Sequence, residues 1–433
     1  MTEIAQLASA ADVSTKVESR LKARHARERR FRAYGLGAIL VALAFLALLL
    51  TTIISRGAPA FLQTGVTLEV AFDPAVLAPE GKTDAASLGQ ADYAMLLRNS
   101  LQAALPNSSE RSARRELGQL LSSDAALMVR KMVLADPSLL GTTRKVWLPV
   151  SAPFDQLVKG HLTAQAAGGG QISERQVAWA TLLQERGLVS AHFNMVLLTA
   201  GDSRQPEQAG LGGALVGSLF TLLVTLLLSF PLGVATAIYL EEFAAKNRWT
   251  DLIEININNL AAVPSIVFGL LGLEVFLNWF GLPRSAPLVG GLTLTLLTLP
   301  TIIIAARISL KAVPPWIREA ALGMGASKLQ MVTHHVLPLA MPGILTGTII
   351  GMARAIGETA PLLMIGMVAF IVDVPRSPFD PASALPVQIY LWAASPERAF
   401  VERTSAAIMV LLVFLGLMNA GAIYMRKKFE RRW

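Results

Sequence analysis

The sequence predicts a mainly α-helical, polytopic membrane protein with six transmembrane helices and an extracytoplasmic α/β insert. Of its 433 residues, 53% are hydrophobic and 16% are charged, whereas soluble domains are about 25% charged. Six apolar stretches are each long enough to cross about 30 Å of hydrocarbon. Between the first two stretches, charges of both signs and turn-forming residues return, which is typical of a water-soluble domain.

The composition excludes several classes of function. The chain has no cysteine, so disulfides, thiol nucleophiles and cysteine-ligated metals are impossible. Its five histidines lack the spacing of a metal site. The net charge of +8 comes from basic residues beside apolar stretches, where lipid headgroups explain them better than nucleic acid does. We therefore predict no catalytic residue, no metal site, no cofactor and no nucleic-acid partner.

Residues 1–33 form a basic segment that we predict to be cytoplasmic, because lysine and arginine beside a first span favour the inner side. The uncharged stretch that follows predicts transmembrane helix 1 over residues 34–55. A cleaved signal peptide is the alternative interpretation. The apolar stretch is too long for a typical signal core, so we expect an uncleaved anchor.

Residues 56–208 are predicted to form an extracytoplasmic domain of mixed α/β structure. Leucines at three- to four-residue steps predict helices over 90–105 and 113–134. Short β-like runs occur at 66–72 and 145–150. Asp155 and His161 have no partner in the sequence pattern, so we expect both to be ordinary surface residues.

Residues 209–425 are predicted to form a five-helix core. The spans are expected at 212–240, 258–281, 286–309, 340–372 and 405–425. If the N-terminus is cytoplasmic, residues 241–257, the loop 314–338 and the basic tail 426–433 all lie inside. Every short basic segment then lies on one side of the membrane, as the positive-inside rule requires.

The loop at 314–338 contains a recognisable pattern. Glu319, Ala320 and Ala321 are followed after three residues by Gly325, and Leu337-Pro338 closes the stretch. This order resembles the EAA loop of bacterial ABC importer permeases, with His335 where isoleucine is usual. The resemblance implies a type I ABC importer permease fold and a cytoplasmic coupling helix that docks on a separate ATPase. An ordinary amphipathic connector helix on the membrane is the alternative.

Three ionisable residues lie within or at the ends of the predicted spans, namely Arg307, Arg354 and Glu358. A charge at mid-membrane costs about 2.5–3.5 kcal/mol on insertion scales, so such residues are functional candidates by default. Arg354 and Glu358 are four residues apart and share one helix face. They form either a self-neutralising pair or an anion site. Arg307 lies nearer the cytoplasmic end, where it either snorkels to the headgroups or lines the pathway.

The segment GMARAIGETAPLLMIG at 351–366 resembles the phosphate importer permeases, and the run from Glu358 to Leu362 fits the PstA family better than PstC. The resemblance extends over most of 210–425. It implies that Arg354, Glu358, Thr359 and Arg307 lie on the substrate pathway. A guanidinium fork suits phosphate, Thr359 offers a hydroxyl, Gly357 is expected to allow close backbone approach, and Pro361 is expected to break the helix.

The same resemblance implies several partners for a subunit in the bacterial inner membrane with both termini cytoplasmic. These are an ATP-binding subunit dimer on the cytoplasmic side, a PstC-like second permease subunit and a periplasmic phosphate-binding protein, all assembled in the lipid bilayer. The chain has no G-x-x-x-x-G-K-[ST] loop, so ATP hydrolysis is expected on another chain. The alternatives are a permease for sulfate, molybdate or tungstate, and a membrane sensor that uses the insert.

Overall fold

A computed structural model describes residues 2–78, 84–105, 110–161 and 172–429. Residues 430–433 of the predicted basic tail lie outside the described residues.

The chain divides into two compact units, residues 1–55 and 56–433. In chain order, the helices and strands are α1 Thr2–Gly57, β1 Leu62–Ala71, α2 Pro74–Leu77, α3 Ala85–Gln90, α4 Tyr93–Ala104, α5 Arg111–Leu117, α6 Ser123–Ala135, β2 Thr143–Pro149, α7 Ala152–Val158, α8 Glu174–Glu185, β3 Val189–Phe193, α9 Met195–Thr199, α10 Gly212–Ile238, α11 Arg248–Ala261, α12 Ser265–Gly272, α13 Pro287–Lys311, α14 Pro315–Gly323, α15 Lys328–Gln330, α16 Leu337–Gly357, α17 Ala360–Met364, α18 Leu385–Ala393 and α19 Ala399–Phe429.

The first unit consists of helix α1, which contains the predicted first span. Its sequence has no proline and carries an uncharged run over 34–54, so nothing interrupts the helical hydrogen bonds. The helix ends at Gly57, and a short 3₁₀ turn that contains Pro59 follows it at Ala58–Phe61. The missing amide hydrogen of Pro59 explains why the regular helix stops there.

The insert is built on a three-stranded antiparallel sheet with the order β2-β1-β3. On the central strand, Val66, Leu68 and Val70 are at most 2% exposed. They point to one face because side chains alternate along a strand, and the helices of the insert cover that face. The two predicted strands are confirmed by β1 and β2. The third, β3, was missed because its five residues are only partly buried and lack a marked apolar alternation.

The single helix predicted over 113–134 is wrong, because the structure has two helices there. Helix α5 ends at Leu117. Helix α6 starts only at Ser123, where the side chain of Ser122 accepts a hydrogen bond from the amide of Asp124. A serine before the first helical residue is a strong helix start signal, and it outweighs the leucine periodicity that continues across the break.

Among the described residues, five helices are long and apolar enough to cross a membrane, and a bent pair of helices is a sixth candidate. The helical stretches are Arg24–Phe61, Gly212–Phe243, Pro287–Lys311, Lys328–Gly357 and Ala399–Lys428, and the bent pair is Arg248–Ala261 with Ser265–Trp279. The chain is thus mainly α-helical and multi-pass, as predicted.

Two of the predicted spans have different shapes from those expected. The span at 258–281 is bent by 102° between α11 and α12, at Pro264, because proline disfavours helical geometry in the residue before it. The span at 340–372 ends at Gly357, and its helix begins before residue 340, at Lys328. A short helix, α17, and an irregular segment occupy the remaining residues.

The membrane core is centred on helix α13, which packs against α10 and α16. Small residues bring the helix backbones together at these contacts. A Cβ at Gly291 of α13 would lie 2.5 Å from the Cβ of Val224 on α10, and a Cβ at Gly347 of α16 would overlap the side chain of Ala305 on α13. Close approach through small residues is the usual basis of helix association in membranes, where lipid already satisfies apolar surface.

Candidate functional site

The predicted coupling segment forms two helices instead of the single coupling helix expected in the loop 314–338. Helix α14 ends at Gly323. Gly325 then adopts a φ of +86°, a left-handed conformation that favours glycine because other residues have a clashing Cβ. Ser327 starts the next helix with a reciprocal cap that involves Gln330. From Lys328 onward, the chain is the beginning of the long helix that continues through α16.

The four predicted coupling residues divide between the surface and the core. Glu319, Ala320 and Gly325 are exposed. Ala321 is only 2% exposed and belongs to the apolar core between α13 and α16, so its side chain supports the helix from within. Several large apolar residues next to the motif are exposed instead, namely Trp316, Leu322, Met324 and Leu329.

Helix α14 is fixed to the end of α10 by an arginine that the sequence analysis did not identify. The Arg318 Nη2 lies 2.7 Å and its Nε 3.1 Å from Oε1 of Glu242, whose side chain is 7% exposed. The guanidinium also donates to the carbonyl oxygens of Val313 and Leu310 at 2.8 Å. No spacing rule could have found this pair, because the two residues are 76 positions apart in the chain.

Arg307 is held in an ion-pair network at the same end of the bundle. Its Nη2 lies 2.5 Å from Oε1 of Glu254 on α11, and its Nε lies 3.6 Å from Oε2 of Glu241 just after α10. Lys311 approaches the same Glu241 oxygen at 3.5 Å. The Arg307 side chain is 14% exposed. In this conformation its charge is therefore neutralised by carboxylates from two neighbouring elements.

The predicted pairing of Arg354 with Glu358 is present. The Arg354 Nε lies 3.4 Å from Oε1 of Glu358, and the two side chains are 48% and 20% exposed. Glu358 lies just past the last residue of α16 in an extended conformation, and Thr359 precedes the first residue of α17. The motif therefore lies at a break in the helix, where backbone groups are freed.

Two expectations about this break are wrong. The helix ends at Gly357, and Pro361 occupies the second position of α17 instead of ending α16. Proline suits the first turn of a helix because its missing amide hydrogen has no partner there anyway. A Cβ at Gly357 would meet nothing within 4 Å, so this glycine does not serve close backbone packing inside the chain.

Arg307 and Arg354 lie at different depths. Helices α13 and α16 run side by side, with Gly343 next to Ser309 and Gly347 next to Ala305. Arg307 is therefore level with the middle of the 343–347 segment. Arg354 is about nine residues further along α16, or about 13 Å at the rise of an α-helix. The structure thus does not bring the two predicted pathway arginines together.

A cluster of charged side chains connects the insert to the start of α19. Lys159 Nζ lies 2.7 Å from Oδ2 of Asp155 and 2.9 Å from Oε1 of Glu402, and it is 13% exposed. His161 Nδ1 is 3.6 Å from the other oxygen of Glu402. Arg403 is 7% exposed. The expectation that Asp155 is an ordinary surface residue is wrong, because it pairs with Lys159 in this mostly buried cluster. His161 is exposed, as expected, but it lies near Glu402, more than 240 residues later in the chain.

Comparison with known proteins gives two matched families. Residues 229–432 match the family described as binding-protein-dependent transport system inner membrane component. Residues 18–167 match a domain of unknown function, DUF3333. The second match covers most of the insert and the first span and assigns no activity to them.

The relatives of this chain include several phosphate permeases. The chain is 34% identical over 229 residues to phosphate transport system permease protein PstA 1 of Mycobacterium tuberculosis (strain CDC 1551 / Oshkosh). The match covers 52% of this chain and 74% of that protein. It is 31% identical over 218 residues to PstA of Xylella fastidiosa (strain Temecula1 / ATCC 700964), covering 50% and 74%.

Solved structures of similar fold include the inward-facing MetNI methionine ABC transporter. The match has 19% identity and a TM-score of 0.41, and it covers 51% of this chain and 94% of that one. A bacterial ABC transporter for import of the acidic polysaccharide alginate matches with 16% identity and a TM-score of 0.39 over 50% and 79% of the two chains.

The matched transport family covers the chain from the end of α10 to the end of α19. Permeases of this kind are transporter subunits and not enzymes, and an ABC importer permease works with ATPase and substrate-binding partners. The chain therefore belongs to the PstA family of ABC importer permeases.

Proposed function

We propose that this chain is a transmembrane permease subunit of an ATP-driven inorganic phosphate importer. It would form half of the translocation pathway and transmit movement from a separate ATPase. The observation that carries this proposal is the exposure of Arg354, whose side chain is 48% exposed although close neighbours in its helix are buried. Its neighbours Met352, Ala355 and Ile356 are at most 5% exposed.

An exposed guanidinium at this depth needs an environment other than lipid. Contact with hydrocarbon would cost about 2.5–3.5 kcal/mol. A water-filled pathway shared with a second permease subunit removes that cost. The exposed face of Arg354 supports such a pathway at the interface, and we propose a PstC-like chain as the second subunit because the sequence relatives are PstA proteins.

The chemistry of the pair suits a phosphate ion. The contact with Glu358 uses the Arg354 Nε, and the two terminal amino groups of a guanidinium can donate in parallel to phosphate oxygens. Glu358 orients the guanidinium and balances its charge when the site is empty. Thr359, one residue later, adds a hydroxyl donor at the break between α16 and α17. A partly exposed site of this kind holds an anion weakly enough to release it.

Arg307 is proposed to act on the same pathway, but at its cytoplasmic end. It is about 13 Å from Arg354 along the helix axis and is paired with Glu241 and Glu254. These carboxylates compete with any anion for the guanidinium. An ion can therefore contact Arg307 only in a conformation in which α10, α11 and α13 have separated at this end.

Helix α14 is proposed to dock on one subunit of an ATP-binding dimer. The exposed apolar residues around Glu319 and Ala320 support this role, because uncovered apolar side chains mark protein contacts. The turn at Gly325 connects this helix directly to the long helix that carries Arg354. A push on α14 would therefore reach the anion site through a single continuous helix.

This assignment fixes the topology that we propose. The segments 1–33, 314–338 and 426–433 lie in the cytoplasm of a bacterial cell. Residues 34–55 and the spans within the core 209–425 lie in the inner membrane, and residues 56–208 lie outside. A periplasmic phosphate-binding protein delivers the ion to the outer side. Phosphate capture by the binding protein is thus separated from the ATPase by the full depth of the membrane.

Uptake of radiolabelled phosphate by cells that lack this chain tests the proposal. We expect that the wild-type gene restores uptake and that unlabelled phosphate competes with the label, whereas sulfate, molybdate and tungstate do not. Competition by one of these other anions at equal concentration would assign a different oxyanion. Failure of the gene to restore uptake of any of them, with the protein present in the membrane, would contradict the proposed function.

A further inference from the structure

The insert contains a half-open cavity of about 790 Å³ that the permease function does not use. It lies between α4, α5, the start of α6 and α7, and the segment 205–207 closes one side. Pockets that bind small organic ligands typically measure about 300–1,000 Å³. The cavity is therefore large enough for an organic ligand and far larger than an inorganic phosphate ion requires.

The floor of the cavity is the edge of the apolar core of the insert, and polar side chains form much of the remaining lining. Leu97, Leu101, Leu117 and Leu120 line it, each at most 4% exposed, and Phe154 contributes an aromatic ring. These side chains belong to the main core of the insert, so the packing of the domain holds them in place. A preformed apolar floor favours a ligand with an apolar body.

Arginine side chains provide positive charge at the rim. Arg98, Arg114 and Arg115 line the cavity. Within the described residues, neither Arg98 nor Arg115 forms an ion pair with a carboxylate. Arg98 makes only a long contact from its Nε to the carbonyl oxygen of Ala94 in its own helix, at 3.4 Å. These two guanidinium groups are therefore available to an anion from solution.

We propose that this cavity binds an organic phosphate, with the phosphate group on the arginines and the apolar body on the leucine floor. A phosphate has enough oxygens and charge to accept from more than one guanidinium, whereas a single carboxylate is satisfied by one fork. The volume and the floor select against inorganic phosphate alone. The ligand is either an anionic lipid from the membrane or a soluble phosphate monoester.

The far end of the cavity adjoins the charged cluster at α19. Glu207 lines the cavity, and it also lines the small neighbouring cavity formed by Lys159, Glu402 and Arg403. This carboxylate therefore lies between the cavity and the contact of the insert with the last transmembrane helix. A ligand in the cavity therefore lies close enough to alter the contact between the insert and α19.

The test uses the full-length chain in lipid nanodiscs and does not measure transport. For a soluble ligand, hexyl phosphate is titrated by calorimetry into nanodiscs of phosphatidylcholine, with inorganic phosphate and hexanol as the two half-ligands. For a lipid ligand, nanodiscs with and without phosphatidic acid are compared by native mass spectrometry after the lipid belt is removed. Binding in either arm supports the proposal and names the source.

The variants are Arg98→Gln, Arg115→Gln and their double, with Arg144→Gln on the exposed part of β2 as the matched control. Each cavity variant is expected to weaken binding about tenfold, because a charge-assisted hydrogen bond is lost, and the control is expected to bind like wild type. All three arginines are exposed, so the variants should fold, which a thermal melt checks.

Three results would overturn the proposal. The first is that neither ligand binds. The second is that inorganic phosphate binds as tightly as hexyl phosphate and loses that binding in the Arg98→Gln, Arg115→Gln double variant, since it would then occupy this cavity without using the apolar floor. The third is that Arg98→Gln, Arg115→Gln and Arg144→Gln bind equally well.

Discussion

Arg318 on helix α14 donates two hydrogen bonds to the carboxylate of Glu242 at the end of α10. This pair fixes the proposed coupling helix to a transmembrane helix that is distant in sequence. The carboxylate is almost fully buried, so it has few alternative partners. We infer that the pair sets the position of α14 relative to the membrane core.

Arg318→Gln is therefore expected to destabilise the permease by about 3–5 kcal/mol, the cost of leaving one partner of a buried ion pair alone. The measurement is the thermal unfolding midpoint of the purified protein. Glu242→Gln combined with Arg318→Gln should recover part of the loss, because no buried charge then lacks a partner. A loss in the double variant that equals the sum of the losses in the two single variants would show that the two residues act separately.

Gly325→Ala is expected to weaken coupling, because a residue with a Cβ is strained at a φ of +86° by about 1–2 kcal/mol. Gly323→Ala is the matched control, since it lies two residues earlier, has open space around its Cβ and has no positive φ. Phosphate-stimulated ATP hydrolysis of the assembled transporter should fall in the first variant and stay near wild type in the second. Gly325→Asp should reduce it further.

An ATPase subunit should still co-purify with Gly325→Ala, because the exposed docking residues are unchanged. Loss of co-purification would show that Gly325 is needed for docking of the ATPase and not only for coupling. Identical behaviour of the two alanine variants would show that the turn has no special role.

Arg354→Gln is expected to abolish phosphate uptake while assembly with the partner subunits is retained. The glutamine keeps a polar side chain at the same position but loses the charge and the fork that suit phosphate. Arg354→Lys should keep a small part of the activity, since it retains the charge alone. Arg284→Gln, an exposed arginine in the loop before α13, is the control and should transport normally. Uptake at the wild-type rate by Arg354→Gln would show that Arg354 does not act on the phosphate pathway.

The sequence predicted well those features that depend on local patterns. Long apolar runs located the helices of the core, and the spacing of Arg354 and Glu358 predicted their contact. The sequence did not predict features that depend on contacts between distant residues or on the backbone conformation of a single residue. No spacing rule connects Lys159 with Glu402 or Arg318 with Glu242, because their pairing depends on how the helices pack. The loop 314–338 was expected to contain one coupling helix, whereas the left-handed φ of Gly325 separates two helices there.

Lys159→Met is expected to destabilise the contact between the insert and α19 by about 3–5 kcal/mol, since it leaves Asp155 and Glu402 without their shared cation in a mostly buried site. The matched control is Lys145→Met, which breaks an exposed pair with Glu69 and should cost at most about 1 kcal/mol. Thermal unfolding measures both. Similar small losses in the two variants would mean that the buried cluster does not hold the insert in place.

Glu207 is expected to make the stability of the insert depend on pH. Burial raises the pKa of this carboxyl above its ordinary value near 4.5, although hydrogen bonds and Arg403 oppose the shift. The folded protein therefore holds a proton that the unfolded chain releases, and stability falls as the pH rises from about 4.5 through the raised pKa. Above that window, the buried carboxylate is charged in the folded protein and lowers its free energy of unfolding.

Glu207→Gln removes the cost of this buried charge, because the glutamine side chain stays neutral at every pH. The variant should match wild type near pH 4 and be more stable at pH 7, and the difference should develop across the same window. Unfolding midpoints measured from pH 4 to pH 8 test this, with Glu69→Gln on the exposed part of β1 as the control. A variant that is less stable than wild type at pH 7 would show that the charged form of Glu207 is favoured by its partners, because their attraction would then exceed the cost of burial.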